Sequence, residues 1–130
     1  MDTDREIRCR VAACLEPGAD GKEWSFYVLN DSQVPLDRVV LKTFGHEWGD
    51  DGPAIQLDVE VNHIAPGGNA LIWRDNDDEM RMWLTLLIEA GGRKAQHMFE
   101  FPMLYKRKGQ LPMVAELGKP GWVVSATGTP

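Results

Sequence analysis

The side chains best suited to chemistry in this chain are the acidic and amide groups of the run DNDDE at residues 75–79. Calcium takes about six to eight oxygen ligands, and the loops that bind it supply carboxylates at alternating positions. Asp75, Asp77 and Glu79 alternate in this way. A calcium site formed by these three carboxylates is therefore one interpretation of the run.

The flanking residues favour a simpler interpretation of the same run. Arg74 and Arg81 lie on either side of the acids and can neutralise them across two paired strands. The run also lacks the glycine that an EF-hand loop needs at its sharp turn. We therefore predict a solvated turn between two strands. The calcium site stays as the alternative, with Glu47 and the acids at 50–51 as further ligands if they reach the same end of the fold.

The histidines offer a second set of metal ligands. His46-Glu47 begins like a zinc-peptidase helix, but the fourth residue after His46 is Asp50 rather than histidine. We predict that His63 and His97 both face inward, so that they are able to hold a metal together with His46 or Asp50. The interpretation we favour is a pair of neutral, hydrogen-bonded histidines at the margin of the core.

The sequence contains no motif of a known catalytic machinery. We find no nucleophile elbow, no phosphate-binding loop and no glycine set for a dinucleotide. We therefore predict that the protein is not an enzyme and has no cofactor, calcium being the one alternative.

Composition limits the partners. The chain has 130 residues, 43% of them hydrophobic, and a formal net charge of -6. These values are typical of one folded domain, and an acidic domain repels the phosphate backbone of nucleic acids. The most apolar run, residues 80–90, contains Arg81 and Glu89 and is too short to span a bilayer. We predict no nucleic-acid partner, no membrane partner and, because the N-terminus has no apolar signal core, a cytoplasmic location.

The two cysteines are predicted to be free thiols. If residues 6–15 form one strand, the odd separation of Cys9 and Cys14 puts them on opposite faces. They would also be about 16 Å apart, which is too far for a disulfide.

Alternation of apolar and polar residues predicts an all-β fold. Apolar residues recur with period two, Pro and Gly mark the turns between runs, and no window has a good helical period. The predicted strands are residues 7–15, 23–30, 36–44, 55–64, 69–74, 80–90 and 93–101. We predict an antiparallel β-sandwich of about seven to eight strands over residues 1–104. Residues 105–130 are predicted to be a C-terminal extension that packs on the sandwich or adds to it.

The order of these segments resembles a known group of domains. A strand followed by NDSQVPL, another strand, and the turn IAPGG before a further strand is similar to immunoglobulin-like and fibronectin type III-like sandwich domains. The resemblance covers residues 23–101 and lacks the Cys-Trp-Cys framework of a true immunoglobulin domain. It implies a fold and a binding role, and no functional residues carry over.

Large apolar residues also occupy positions that alternation assigns to outward faces. If their strands share a sheet, its outer face carries an apolar patch formed by Tyr27, Leu29, Trp73, Trp83 and Leu87. The C-terminal extension would cover this patch with Met113, Val114, Leu117 and Trp122, or the patch is an interface. The third alternative is a platform for sugar rings formed by Tyr27, Trp73 and Trp83.

We therefore predict a non-enzymatic protein-interaction or assembly module, with a protein partner or self-association. The alternative is a β-sandwich module that binds carbohydrate, or one that binds a ligand in a calcium-dependent manner.

Overall fold

The fold is built from antiparallel β-strands that form two sheets, so the predicted all-β sandwich is confirmed. The computed structural model describes residues 7–16, 23–47, 55–75, 81–102 and 109–126, with residues 46, 47, 55–57 and 75 described by their backbone only. Among these residues, no helix is long and apolar enough to cross a membrane.

The first sheet has five strands. They are β1 (Cys9–Leu15), β2 (Trp24–Asn30), β5 (Asn69–Asp75), β8 (Met113–Val114) and β9 (Lys119–Ser125). Their order across the sheet is β5-β2-β1-β9-β8. The part of the chain predicted to be an extension thus supplies two strands, and β9 pairs along β1 from Arg10↔Ser125 to Cys14↔Gly121.

The second sheet has four strands. They are β3 (Leu36–Glu47), β4 (Ile55–Ile64), β6 (Arg81–Ala90) and β7 (Arg93–Phe101). Their order is β4-β3-β6-β7, and all the pairs are antiparallel.

The inward faces of the two sheets form the main core, and alternation predicts most of it. Every second residue of β6, from Met82 to Ala90, is buried. Phe26 on β2 makes edge-to-face contacts with Phe44 and Phe101 of the opposite sheet, at centroid distances of 5.8 and 5.4 Å. These rings join the two sheets toward the end of the sandwich at which β7 finishes.

The prediction that His63 faces inward is wrong. His63 has a φ of 52° and is exposed, while the following Ile64 is 3% exposed and packs in the core. The left-handed backbone at His63 interrupts the alternation, so the apolar neighbour takes the inward position.

Four strand-to-strand connections leave from the same end of the sandwich. Leu15 pairs with Trp24, Trp24 with Asp75, Glu47 with Arg81 and Phe101 with Met82. The connections after β1, β3, β5 and β7 therefore begin together. The opposite end has the shorter connections 31–35, 65–68 and 91–92.

The cysteines lie on opposite faces of β1 and are free, as predicted. Cys9 packs against the main core. Cys14 is fully buried in a second, smaller cluster on the outer side of the five-stranded sheet.

Candidate functional site

The five residues proposed for an aromatic face do not lie on one surface. Tyr27 and Leu29 are on β2 and Trp73 is on β5, all in the five-stranded sheet. Trp83 and Leu87 are on β6 in the four-stranded sheet. Each group has a different environment, which decides what the side chains are able to contact.

The C-terminal hairpin covers Tyr27 and Leu29. Leu29 is 2% exposed and lies in the second cluster with Val114 of β8. Tyr27 and Leu117 pack against the same cluster. This is the cover that the sequence offered as one of three explanations, here supplied by residues 113–118 with Val114 and Leu117 as its apolar contacts.

Gly121 allows the hairpin to lie this close to the sheet. It is buried, and a Cβ there would come within 2.8 Å of the carbonyl oxygen of Ala13 and 2.9 Å of the Cys14 sulfur. Its N–H donates a 3.0 Å hydrogen bond to the carbonyl of Pro112, which fixes the start of the hairpin beside β9. A side chain at residue 121 would therefore force β9 away from β1.

Lys119 anchors the hairpin beside Tyr27. Its Nζ donates to Glu16 Oε1 at 2.8 Å and to the Tyr27 hydroxyl at 2.7 Å. Hydrogen bonds with Glu16 and then with Tyr27 raise the pKa of Lys119. Burial alone would raise the pKa of Glu16, but its hydrogen bond from Lys119 and other favourable contacts bring the net pKa below the ordinary value. The amine stays protonated, so it serves as a hydrogen-bond donor rather than a nucleophile.

A second ion-pair group anchors the turn of the hairpin. Arg10 on β1 donates to Asp31 Oδ2 at 2.7 Å and to Glu116 Oε2 at 2.7 Å. Hydrogen bonds with Asp31 and then Glu116 raise the pKa of Arg10, and the hydrogen bond from Arg10 lowers the pKa of Glu116. Both groups tie the C-terminal hairpin to the five-stranded sheet.

Trp73 faces the inside of the sandwich because β5 has a bulge. Phe26 pairs with Trp73 while its neighbour Tyr27 pairs with Leu71, so Ile72 is the extra residue on β5. A bulge of this kind moves two successive side chains toward the same face. Ile72 is buried, and the Trp73 ring lies 5.6 Å from that of Phe44 across the sandwich. Strict alternation placed Trp73 outward, and the bulge accounts for the difference.

Trp83 and Leu87 lie on the outer face of the four-stranded sheet. The register places Val40 and Gln96 beside Leu87, and Met98 beside Thr85. Trp83 and Leu87 are half-buried, Met98 is 36% exposed, and all three lie outside both buried clusters of the described residues. We call this surface the Trp83 face, and it consists of Trp83, Thr85, Leu87 and Met98, with Val40 buried beside Leu87.

Gly45 supports the indole of Trp83. The two residues are register partners on β3 and β6, and a Cβ at Gly45 would overlap the Trp83 ring. The missing side chain leaves the space that the indole occupies beside β3. Sequence reasoning missed Gly45, because the predicted strand ended at residue 44, whereas β3 continues to Glu47 and includes the glycine.

Paired charges lie beside the Trp83 face at one end and on its β4 side. Arg38 lies between Glu60 and Glu89, with N–O distances of 2.9 and 2.7 Å. The hydrogen bond with Glu89, followed by that with Glu60, raises the pKa of Arg38. Lys42 pairs with Asp58 at 3.1 Å on the β4 side. The face therefore has an apolar centre on β6 and β7 with paired charges beside it.

The histidines do not form a site in the described chain. His97 faces inward, as predicted, and burial lowers its pKa. His63 is exposed at the end of β4. The described residues contain no group of three His, Cys, Asp or Glu side chains that is able to hold a metal ion.

The calcium alternative falls mainly outside the described residues. Asp75 ends β5 and is described by its backbone only, while Asp77 and Glu79 are not described. The alternative thus remains a prediction.

Asn30 is a buried polar residue that sequence reasoning missed. It is 1% exposed, and its side chain donates to the carbonyls of Val34 at 3.0 Å and Ile64 at 2.9 Å. Its Oδ1 accepts from Ser32 N–H at 2.8 Å. These bonds fix the turn after β2 against the end of β4. The motif NDS marked a turn in the sequence, but only the fold shows that the asparagine side chain bridges two segments.

No protein-family model matches this chain, and no curated protein resembles it significantly.

Proposed function

We propose that the protein is a non-enzymatic protein-interaction module that uses the Trp83 face to bind a protein partner. One observation carries the proposal. The face presents Trp83, Leu87 and Met98 outside the two buried clusters of the described chain, and Met98 is 36% exposed.

The arrangement of the face supports this proposal. Interfaces commonly have an apolar centre surrounded by polar groups, with Trp and Met enriched in the centre. Trp83 is held against Gly45, so little conformational freedom of the indole is lost on binding. The bordering Arg38 and Lys42 are already paired with carboxylates, so neither cation beside the centre is unpaired.

We also propose that the fold belongs among the immunoglobulin-like sandwiches, as the resemblance implies. In those domains strands A, B and E share one sheet and strands C, F and G the other. Here β1, β2 and β5 share one sheet and β3, β6 and β7 the other, which is the same division for these six strands. β4 differs from strand D of the constant-type domain because it lies in the second sheet, beside β3. The β8–β9 hairpin is an addition beside β1. A cytoplasmic location is part of the same proposal, and the two free thiols fit a reducing compartment.

The test compares two lysine substitutions at positions of equal exposure. Met98→Lys places a charge in the Trp83 face, and Leu71→Lys places one on the outer side of the five-stranded sheet. Met98 and Leu71 are each 36% exposed, so neither change removes a core side chain. Tagged wild-type and variant proteins are used to capture partners from the cells that produce the chain, and unfolding temperatures verify that both variants fold.

The proposal predicts a partner that is retained by the wild type and by Leu71→Lys but released by Met98→Lys. Complexes reconstituted from purified proteins should show the same pattern. The partner should bind the wild type and Leu71→Lys, and it should not bind Met98→Lys. A partner that binds all three proteins equally would place its site elsewhere on the surface. The absence of any partner that depends on Met98 would refute the proposal.

The carbohydrate platform remains a prediction without support from the geometry of the described residues. Tyr27 and Trp83 lie on different sheets, and Trp73 packs against Phe44. A stacking platform needs its rings side by side on one surface.

A further inference from the structure

The edges of the two sheets differ in how they are protected. Natural proteins protect edges with bulges or charged side chains, because an unpaired strand edge is a template for another strand. β5 has its bulge at Ile72, and β4 exposes Asp58 and Glu60. β7 exposes Lys94.

Among the described residues, nothing comparable protects β9 over most of its length. β8 pairs only with Lys119 and Pro120 of β9, so the edge from Trp122 to Ser125 extends beyond it. This stretch, WVVS, contains no charge and no proline. Its register with β1 has no irregularity, so the strand is regular over this stretch.

The backbone direction on this edge follows from Gly121. Its N–H points away from β1 and donates to Pro112. In an antiparallel strand alternate residues direct both N–H and C=O to the same side. Val123 and Ser125 therefore direct their polar backbone groups outward too, and in the described part of the chain no backbone group pairs with them there.

We infer that this edge of β9 pairs antiparallel with β9 of a second copy of the chain. A twofold axis at Val124 places Val123 of each copy opposite Ser125 of the other. The outward N–H and C=O groups of both residues are then satisfied in both copies, which is the self-complementarity that a twofold interface requires. The stretch is neutral, so pairing brings no like charges together despite the net charge of -6 on each chain.

The inferred contact uses a different surface from the Trp83 face and joins the five-stranded sheets of two copies into one continuous sheet. Because only Val123 and Ser125 of each copy would form the new backbone bonds, the pairing alone buries less area than a standard interface. We expect a weak dimer with a dissociation constant above roughly 1 µM.

The test is a matched pair of substitutions at Val123. Val123→Pro removes the outward N–H, and it spares the pairing with β1 because that N–H does not point toward β1. Val123→Thr keeps the N–H with a side chain of similar shape. Light scattering over a concentration series should show a wild-type dimer that Val123→Thr retains. Val123→Pro should raise its dissociation constant at least about tenfold.

Hydrogen exchange provides a second measurement in the unmodified chain. The amides of Val123 and Ser125 should exchange more slowly as the protein concentration rises, while that of an exposed residue such as Gly109 should not change. A wild type that stays monomeric would overturn the inference. A dimer that persists in Val123→Pro would also overturn it. If Met98→Lys alone dissociates the dimer, self-association belongs to the Trp83 face instead.

Discussion

The indole of Trp83 lies on the backbone of Gly45, its register partner on the neighbouring strand, and occupies the space where a side chain at residue 45 would begin. Glycine is thus needed at residue 45 for side-chain packing on the outer face of the sheet, and not for the backbone of a turn. Its effect on stability and on the shape of the Trp83 face is directly measurable.

We expect Gly45→Ala to displace the Trp83 ring and to lower the free energy of unfolding by about 1–3 kcal/mol, because the added methyl group overpacks the contact. Urea unfolding and tryptophan emission measure the two effects. Gly109→Ala is the control, since no atom lies within 4 Å of a Cβ at that exposed position. Equal stability of the two variants would contradict the packing described for Gly45.

Asn30 makes its hydrogen bonds in a buried environment, so their loss should be costly. We expect Asn30→Ala to lower the free energy of unfolding by about 2–4 kcal/mol, because the carbonyl of Ile64 loses its buried donor. The control is Asn62→Ala, which removes only an exposed 2.9 Å bond to Glu60 and should change stability by less than about 0.5 kcal/mol. A small effect at Asn30 would mean that other groups fix the turn.

Both thiols should react slowly in the folded protein. Burial, with a smaller contribution from Asp31, raises the pKa of Cys9 to about 12, and burial raises the pKa of Cys14 to about 11. Only the thiolate is nucleophilic, so at pH 8 we expect a colorimetric thiol reagent to react at least about 100-fold more slowly than in urea. Rapid modification of a folded sample would show that β1 opens readily.

Acid should weaken the anchors of the C-terminal hairpin. The pKa of Glu116 is lowered first by the hydrogen bond from Arg10, and that of Glu16 is also below its ordinary value of 4.5. Because the carboxylates have a lower pKa in the folded state, the unfolded chain binds more protons than the folded chain as the pH falls. The stabilisation by these carboxylates is therefore complete above about pH 4.5 and is lost as the pH falls through their folded pKa values. Because Glu116 is largely exposed, its share is no more than about 1 kcal/mol.

The variant Glu116→Gln isolates one of these two carboxylates. Its urea midpoint should fall less steeply than that of the wild type between pH 5 and pH 3. Identical pH profiles would show that the Arg10–Glu116 pair contributes nothing to stability.

We expect calcium to leave the unfolding temperature unchanged, because the solvated turn is the favoured interpretation of residues 75–79. Thermal unfolding with and without calcium measures this, with magnesium as the control for ionic strength. A calcium-specific rise that Asp75→Ala/Asp77→Ala abolishes would establish the alternative site.

The sequence by itself determined the secondary structure and most of the core. Alternation along a strand fixes which side chains share a face, and this places Phe26 and the buried residues of β6 without knowledge of their partners. Pro, Gly and Asn mark the turns, since they favour backbone conformations that strands do not use. The two cysteines on opposite faces follow from the same period.

Only the tertiary structure decided which outward faces are covered. Tyr27 and Trp83 have the same pattern of large apolar residues on the second face of a strand, but a hairpin far along the chain covers Tyr27. Trp73 lies on the inner face of its sheet and not on the predicted outer face, because the pairing of β2 with β5 contains a bulge. Periodicity is a local property of one strand, whereas bulges, sheet partners and covering segments depend on contacts between residues distant in sequence.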